Sequence, residues 1–197
     1  SRPLAPCPMS LAVPSAWIAV GMQALALAVF VGLHLGANGR APGDGAVSDL
    51  AHGPTGPRFR LYGWLGSGAI LCLAVATLLA ADLAFPWWIT AYLVALGLFR
   101  TGVLAFPTDL PGAARTGTGR LHMAFAIVSF ALAYMAVAAS APAYAYLTPP
   151  GLGAVLSWVA AIALAGVVVT LVLRWRRAFA VIERIFLLST ALSFLLP

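Results

Sequence analysis

Proton transfer in this chain can rest on few side chains: His34, His52 and His122, four aspartates (Asp44, Asp49, Asp82 and Asp109) and the single glutamate, Glu183. Asp49, His52, Asp109, His122 and Glu183 fall on the same side of the apolar segments as nearly every arginine. Arginine holds phosphate or carboxylate through paired hydrogen bonds, and carboxyl or imidazole groups beside it can move protons. The pattern points to a site for an anionic headgroup. Asp109, His122 and Glu183 are its candidate catalytic groups, and Arg100, Arg120, Arg184, Asp49 and His52 its candidate ligand-binding groups. The bland counterpart is an ion-pair network that locks helices together.

His122 lies two residues past Arg120 at a helix start, where the positive end of the helix dipole disfavours an imidazolium. A neutral imidazole serves as base or metal ligand. Asp49, His52, Asp109 and His122 are one conceivable metal set, and His34 with His122 a conceivable haem pair. Neither has a spacing that specifies a metal, so the cofactor stays unknown. Arg100, Glu183 and Arg184 sit far enough into apolar sequence to need partners, because an ionised side chain at bilayer depth costs roughly 2.5–3.5 kcal/mol. Glu183 and Arg184 are about 100° apart on a helix. The expectation is therefore that Arg184 reaches Asp49 or Asp109, and that Glu183 reaches Arg100 or Arg120.

Several chemistries are excluded or unsupported. All eleven basic residues are arginine, so no lysine can form a Schiff base or act as a nucleophile. Thr116-Gly117-Thr118-Gly119 has no lysine and follows no strand, unlike a nucleotide-binding loop. Ser48 and Ser129 lack a nucleophile elbow. Cys7 and Cys72 form no metal or disulfide pattern. The pI near 10.2 comes from arginines flanking apolar spans rather than from a solvated basic surface, which argues against nucleic acid.

These residues must be positioned by membrane helices. The chain is 62% hydrophobic and 8% charged, against roughly 25% charged in a soluble domain. Runs of about 20 apolar residues occur at 15–35, 61–81, 87–106, 120–141, 152–173 and 179–196. The expected fold is all-α: a six-helix transmembrane bundle over 15–197 after a tail at 1–14 that lacks signal-peptide features. Pro86 is placed to start the third helix. With six crossings, ten arginines fall on one face and only Arg2 on the other. The positive-inside rule then puts the charged face in the cytoplasm and both termini outside, in an inner bacterial or archaeal membrane. Trp17, Trp87 and Trp88 mark one interface, Trp64 and Trp175 the other. A 60-residue offset relates Arg40, Asp49 and Arg60 to Arg100, Asp109 and Arg120, which suggests that the first two hairpins are a repeat.

Ser48-Asp49-Leu50, Phe106-Pro107-Thr108-Asp109, Leu121-His122 and Glu183-Arg184 together resemble an uncharacterised bacterial and archaeal six-span family, a domain of unknown function. It is distantly similar to the DRAM and GPI-anchor lipid-remodelling membrane families. The resemblance spans about residues 15–196 and implies a six-helix bundle and, through the distant relatives, lipid handling. The sequence therefore reads as a membrane protein that binds, and on one branch modifies, a lipid or other amphiphile with an anionic headgroup. Its rivals are a non-catalytic transport or assembly protein using the same pocket and a structural subunit of a larger membrane complex. Whether it is an enzyme, and its oligomeric state, are left open.

Overall fold

The computed structural model describes residues 9–35, 45–80, 86–110, 112–144 and 151–196. Arg2, Cys7, Arg40, Asp44 and Asp82 lie outside them, so the sorting of Arg2 and the Arg40 member of the repeat do too. Six α-helices follow in order: α1 (Met9–Leu35), α2 (Gly56–Leu79), α3 (Trp87–Ala105), α4 (Gly117–Tyr144), α5 (Leu152–Val172) and α6 (Arg176–Ser193). Two short 3₁₀ turns, Val47–Ala51 and Gly53–Thr55, lead into α2.

The helix ends follow local chemistry. Pro57 stands in the first turn of α2 and Pro86 caps α3, where a missing N–H costs nothing. Thr116 caps α4: its Oγ1 accepts the Gly119 N–H at 3.0 Å, which satisfies one of the orphan donors of the first turn. α5 ends with Arg174 at φ 57° and the Trp175 N–H on Thr170 O at 2.9 Å. This Schellman-type turn usually holds glycine.

Each helix packs chiefly on the next in sequence, and α6 also meets α1, α4 and the first 3₁₀ turn, which closes the bundle. One apolar cluster fills the middle, around Ile70, Leu93, Leu96, Val137 and Phe186. A second lies by the first 3₁₀ turn, where Val47 and Leu50 pack with Phe30, Leu33 and Phe59.

Polarity is inverted relative to a water-soluble bundle. Gln23, Ser67, His122, Ser129, Glu183 and Ser193 are buried, while Ile162, Val169, Val172, Val181, Ile185 and Leu192 are exposed. Five helices, α1 to α5, are long and apolar enough to cross a bilayer. With that outer surface they mark an integral membrane protein. α6 falls short of the apolar criterion because it carries Arg176, Arg177, Glu183 and Arg184. Arg176 and Arg177 are exposed, but Glu183, Ser189, Thr190 and Ser193 are buried, and the three hydroxyls bond carbonyls of their own helix.

Candidate functional site

A cavity of about 90 Å³ lies between α2, α3, α4, α6 and the first 3₁₀ turn. Helical spacing places its walls. α4 contributes His122, Ala126, Ser129, Phe130 and Ala133, and α6 contributes Glu183, Phe186, Leu187 and Thr190. These are positions three and four apart, which share one helix face. Tyr62 and Gly63 of α2 and Arg100, Val103 and Leu104 of α3 complete it, with Val47 and Ser48 across the top. Of the eight candidate residues, Arg100, His122 and Glu183 line this cavity.

The Arg100 guanidinium lies 5.8 Å from the Tyr62 ring centroid, within cation–π range. Among the described residues its buried Nε has no hydrogen-bond partner. Gly66 leaves it room, since a Cβ there would fall 2.8 Å from Nη2. Ser129 is buried, and among the described residues its hydroxyl also lacks a partner. Two orphaned polar groups in one cavity are a departure from the rule that buried polar atoms are bonded.

His122 has a fixed tautomer. Its Nδ1 lies 2.7 Å from Phe106 O and 3.2 Å from Val103 O. Carbonyls only accept, so Nδ1 carries a proton, and in the neutral ring the lone pair is on Nε2. Glu183 accepts the Val47 N–H at 2.8 Å, which ties α6 to the 3₁₀ turn.

The family model for a protein of unknown function, DUF998, matches residues 12–196. The chain belongs to that family. Comparison with curated proteins and with solved structures finds no match.

The other candidates lie elsewhere in this DUF998 chain. Asp109 does not join His122 in the cavity. Its carboxylate accepts the Thr116 hydroxyl at 2.7 Å and the Thr116 N–H at 3.0 Å, and so builds the α4 cap. Those hydrogen bonds, the hydroxyl's first, hold its carboxyl below the usual range, with Arg115 and Arg120 assisting. Asp49 accepts the Ala46 N–H at 3.0 Å within its own turn. Both aspartates of the 60-residue offset thus lie just ahead of an even-numbered helix, with different partners. His52 donates from Nε2 to Thr108 O at 3.0 Å and joins the two loops. Arg120 is exposed.

The expected ion pairs give way to other contacts. Arg184 donates from Nε to His34 Nε2 at 2.9 Å and from Nη1 to Gly45 O and Ala180 O. Glu183 takes a backbone N–H rather than Arg100 or Arg120. Both ring nitrogens of His34 are engaged, because Nδ1 donates to Phe30 O at 2.7 Å; the haem pair with His122 has no free donor there. Among the described residues no group of three His, Cys, Asp or Glu is arranged to hold a metal. Sequence reasoning weighed Ser129 only as a serine without a nucleophile elbow, and did not raise Tyr62. The signal that could have found Ser129 is register: it lies seven residues after His122, on the same face of α4.

Proposed function

We propose that this protein binds an amphiphile through an anionic headgroup held by Arg100 and Ser129 in the cavity between α2, α3, α4 and α6. The observation that carries the reading is the pair of unpartnered buried groups, Arg100 Nε and Ser129 Oγ, lining one cavity. Guanidinium suits a phosphate or carboxylate, and a bound anion would satisfy both groups. At about 90 Å³ the cavity is smaller than the roughly 150 Å³ site that holds benzene. It suits the compact polar part of the ligand, with acyl chains lying against the outer apolar surface.

His122 is the feature that favours chemistry at the site over binding alone. With Nδ1 committed to carbonyls, Nε2 is the proton acceptor for a hydroxyl or water bound beside Arg100. A transport or assembly protein would use the same cavity without that step. The test is to purify the protein with native lipid and identify what co-purifies by mass spectrometry. An anionic-headgroup amphiphile retained by the wild type and lost in Arg100→Gln supports the reading; no retained amphiphile counts against it.

In this reading α6 is a sixth crossing. Its buried polar stripe and its exposed Val181, Ile185 and Leu192 suit a helix facing lipid outward and the cavity inward. The cavity end then faces the cytoplasm, following the arginines.

A further inference from the structure

We infer that the site takes up its anion together with a proton: a singly charged oxyanion binds at Arg100 and Ser129 while the Glu183 carboxylate accepts a proton from water. The inference deepens the reading above and rests on it. Its basis is the place of Glu183. This residue is buried, and it lines the same cavity of about 90 Å³ as Arg100, Ser129 and His122. An anion held in so small a space lies close to Glu183 as well. Like charges repel far more strongly in a low-dielectric site than in water. The anion and an ionised Glu183 therefore oppose each other, and protonation of the carboxylate relieves the conflict.

Glu183 is set up for that exchange rather than locked in an ion pair. Among the described residues its one hydrogen bond comes from a neutral amide: Oε2 accepts the Val47 N–H at 2.8 Å. The charge of Arg184 acts on it, but the Arg184 donors go to His34, Gly45 and Ala180. Asp49 in the first 3₁₀ turn acts with the opposite sign. Arg100, Tyr62 and His122 line the cavity with it from α3, α2 and α4. α1 brings His34, whose Nε2 is occupied by Arg184, and α5 brings no titratable group over Leu152–Val172. Burial favours a neutral carboxyl and a nearby cation an ionised one, so one added negative charge tips the balance toward the acid. The Val47 contact can stay on Oε2, and a protonated Oε1 is a donor.

The test titrates the full chain, in weakly buffered neutral detergent, with decanesulfonate, which keeps one negative charge throughout. Decanol is the uncharged control, and methanesulfonate is the same anion without the chain. Over about pH 5–9 the wild type should take up protons on binding decanesulfonate, approaching about one per ligand. Its Kd should rise with pH by up to about tenfold per unit, the slope of one linked proton. Glu183→Gln keeps an oxygen for the Val47 N–H and stands in for the neutral carboxyl. It should bind without proton uptake and keep its affinity at high pH. His122→Asn keeps an N–H for the Phe106 carbonyl and should still take up the proton. If decanesulfonate binds without proton uptake at any pH, or uptake is equal in wild type and Glu183→Gln, the inference is overturned and the anion site stands. If the wild type binds decanesulfonate no better than decanol, the anion site falls and the inference with it. Methanesulfonate binding as tightly, with the same uptake, would support the inference and overturn the amphiphile. Should Glu183→Gln not fold, His122→Asn decides: uptake that persists supports Glu183, and uptake that vanishes moves the proton to His122 and overturns the inference.

Discussion

The Nε of Arg184 donates to the Nε2 of His34 at 2.9 Å, which joins α6 to the end of α1. The same guanidinium reaches Gly45 O at 2.9 Å, so one side chain ties two helices to the segment that crosses the cavity. Hydrogen bonds from a charged donor are worth roughly 1.5–3 kcal/mol each. Arg184→Ala should therefore lower stability by about 2 kcal/mol or more, read as a fall in melting temperature in detergent. An unchanged melting curve would show that the contact is not structural.

Crossing number has its own test. Single cysteines at Pro54 and Arg177, in a background lacking Cys7 and Cys72, should label from one side of the membrane, and cysteines at Trp87 and Leu196 from the other. Labelling of positions 177 and 196 from the same side would make α6 a surface helix and leave five crossings.

The helices were legible in the sequence because they depend on local pattern. Twenty-residue apolar runs, Pro86 and the Arg174–Arg177 border carry their meaning within one segment. The cavity was only partly legible. Arg100, His122 and Glu183 stood out as polar residues in apolar helices, whereas Ser129 was set aside for want of a nucleophile elbow and Tyr62 is unremarkable until α2, α3, α4 and α6 are brought side by side. Pairing was the least legible, since it depends on helix rotation. Glu183 turned to a backbone N–H and Arg184 to a histidine, and neither partner carries a formal charge in that contact. Asp109 was ambiguous for a related reason: an aspartate ahead of a histidine looks alike as a catalytic group and as a cap.

Asp109 gives a pH prediction. Its carboxyl is held below the ordinary value of 3.8 by Thr116. A depressed carboxyl stabilises the fold above that value and loses the contribution as pH falls through its folded value. The α4 cap should thus be intact at neutral pH and loosen only below about pH 3.8. Asp109→Ala should remove it at every pH. Hydrogen exchange at the Gly119 amide in the wild type and in Asp109→Ala at neutral pH checks this; equal protection would contradict it. Ligand binding should survive the substitution, because Asp109 does not line the cavity.

Arg174 occupies a left-handed position at φ 57°, which costs a non-glycine residue roughly 1–2 kcal/mol. Arg174→Gly should raise stability by about 1 kcal/mol, visible as a higher melting temperature. A lower one would mean that the arginine makes a compensating contact with lipid headgroups.

Gly66 bears on the site without adding or removing charge. A methyl 2.8 Å from Arg100 Nη2 forces the guanidinium aside, and its flexible stem allows that with little damage to packing. Gly66→Ala should weaken ligand binding about tenfold, the scale of one misdirected charged hydrogen bond, with melting close to wild type. Unaltered binding would place the ligand away from Arg100.

The most direct measurement is the amount of amphiphile retained per protein after purification from one membrane source, compared between wild type, Arg100→Gln and Arg120→Gln. Both substitutions remove one positive charge from the same end of the bundle, but only Arg100 lines the cavity. The account predicts that Arg120→Gln keeps the wild-type complement and Arg100→Gln loses most of it. Equal retention in all three, or loss that follows total charge rather than position, would contradict it.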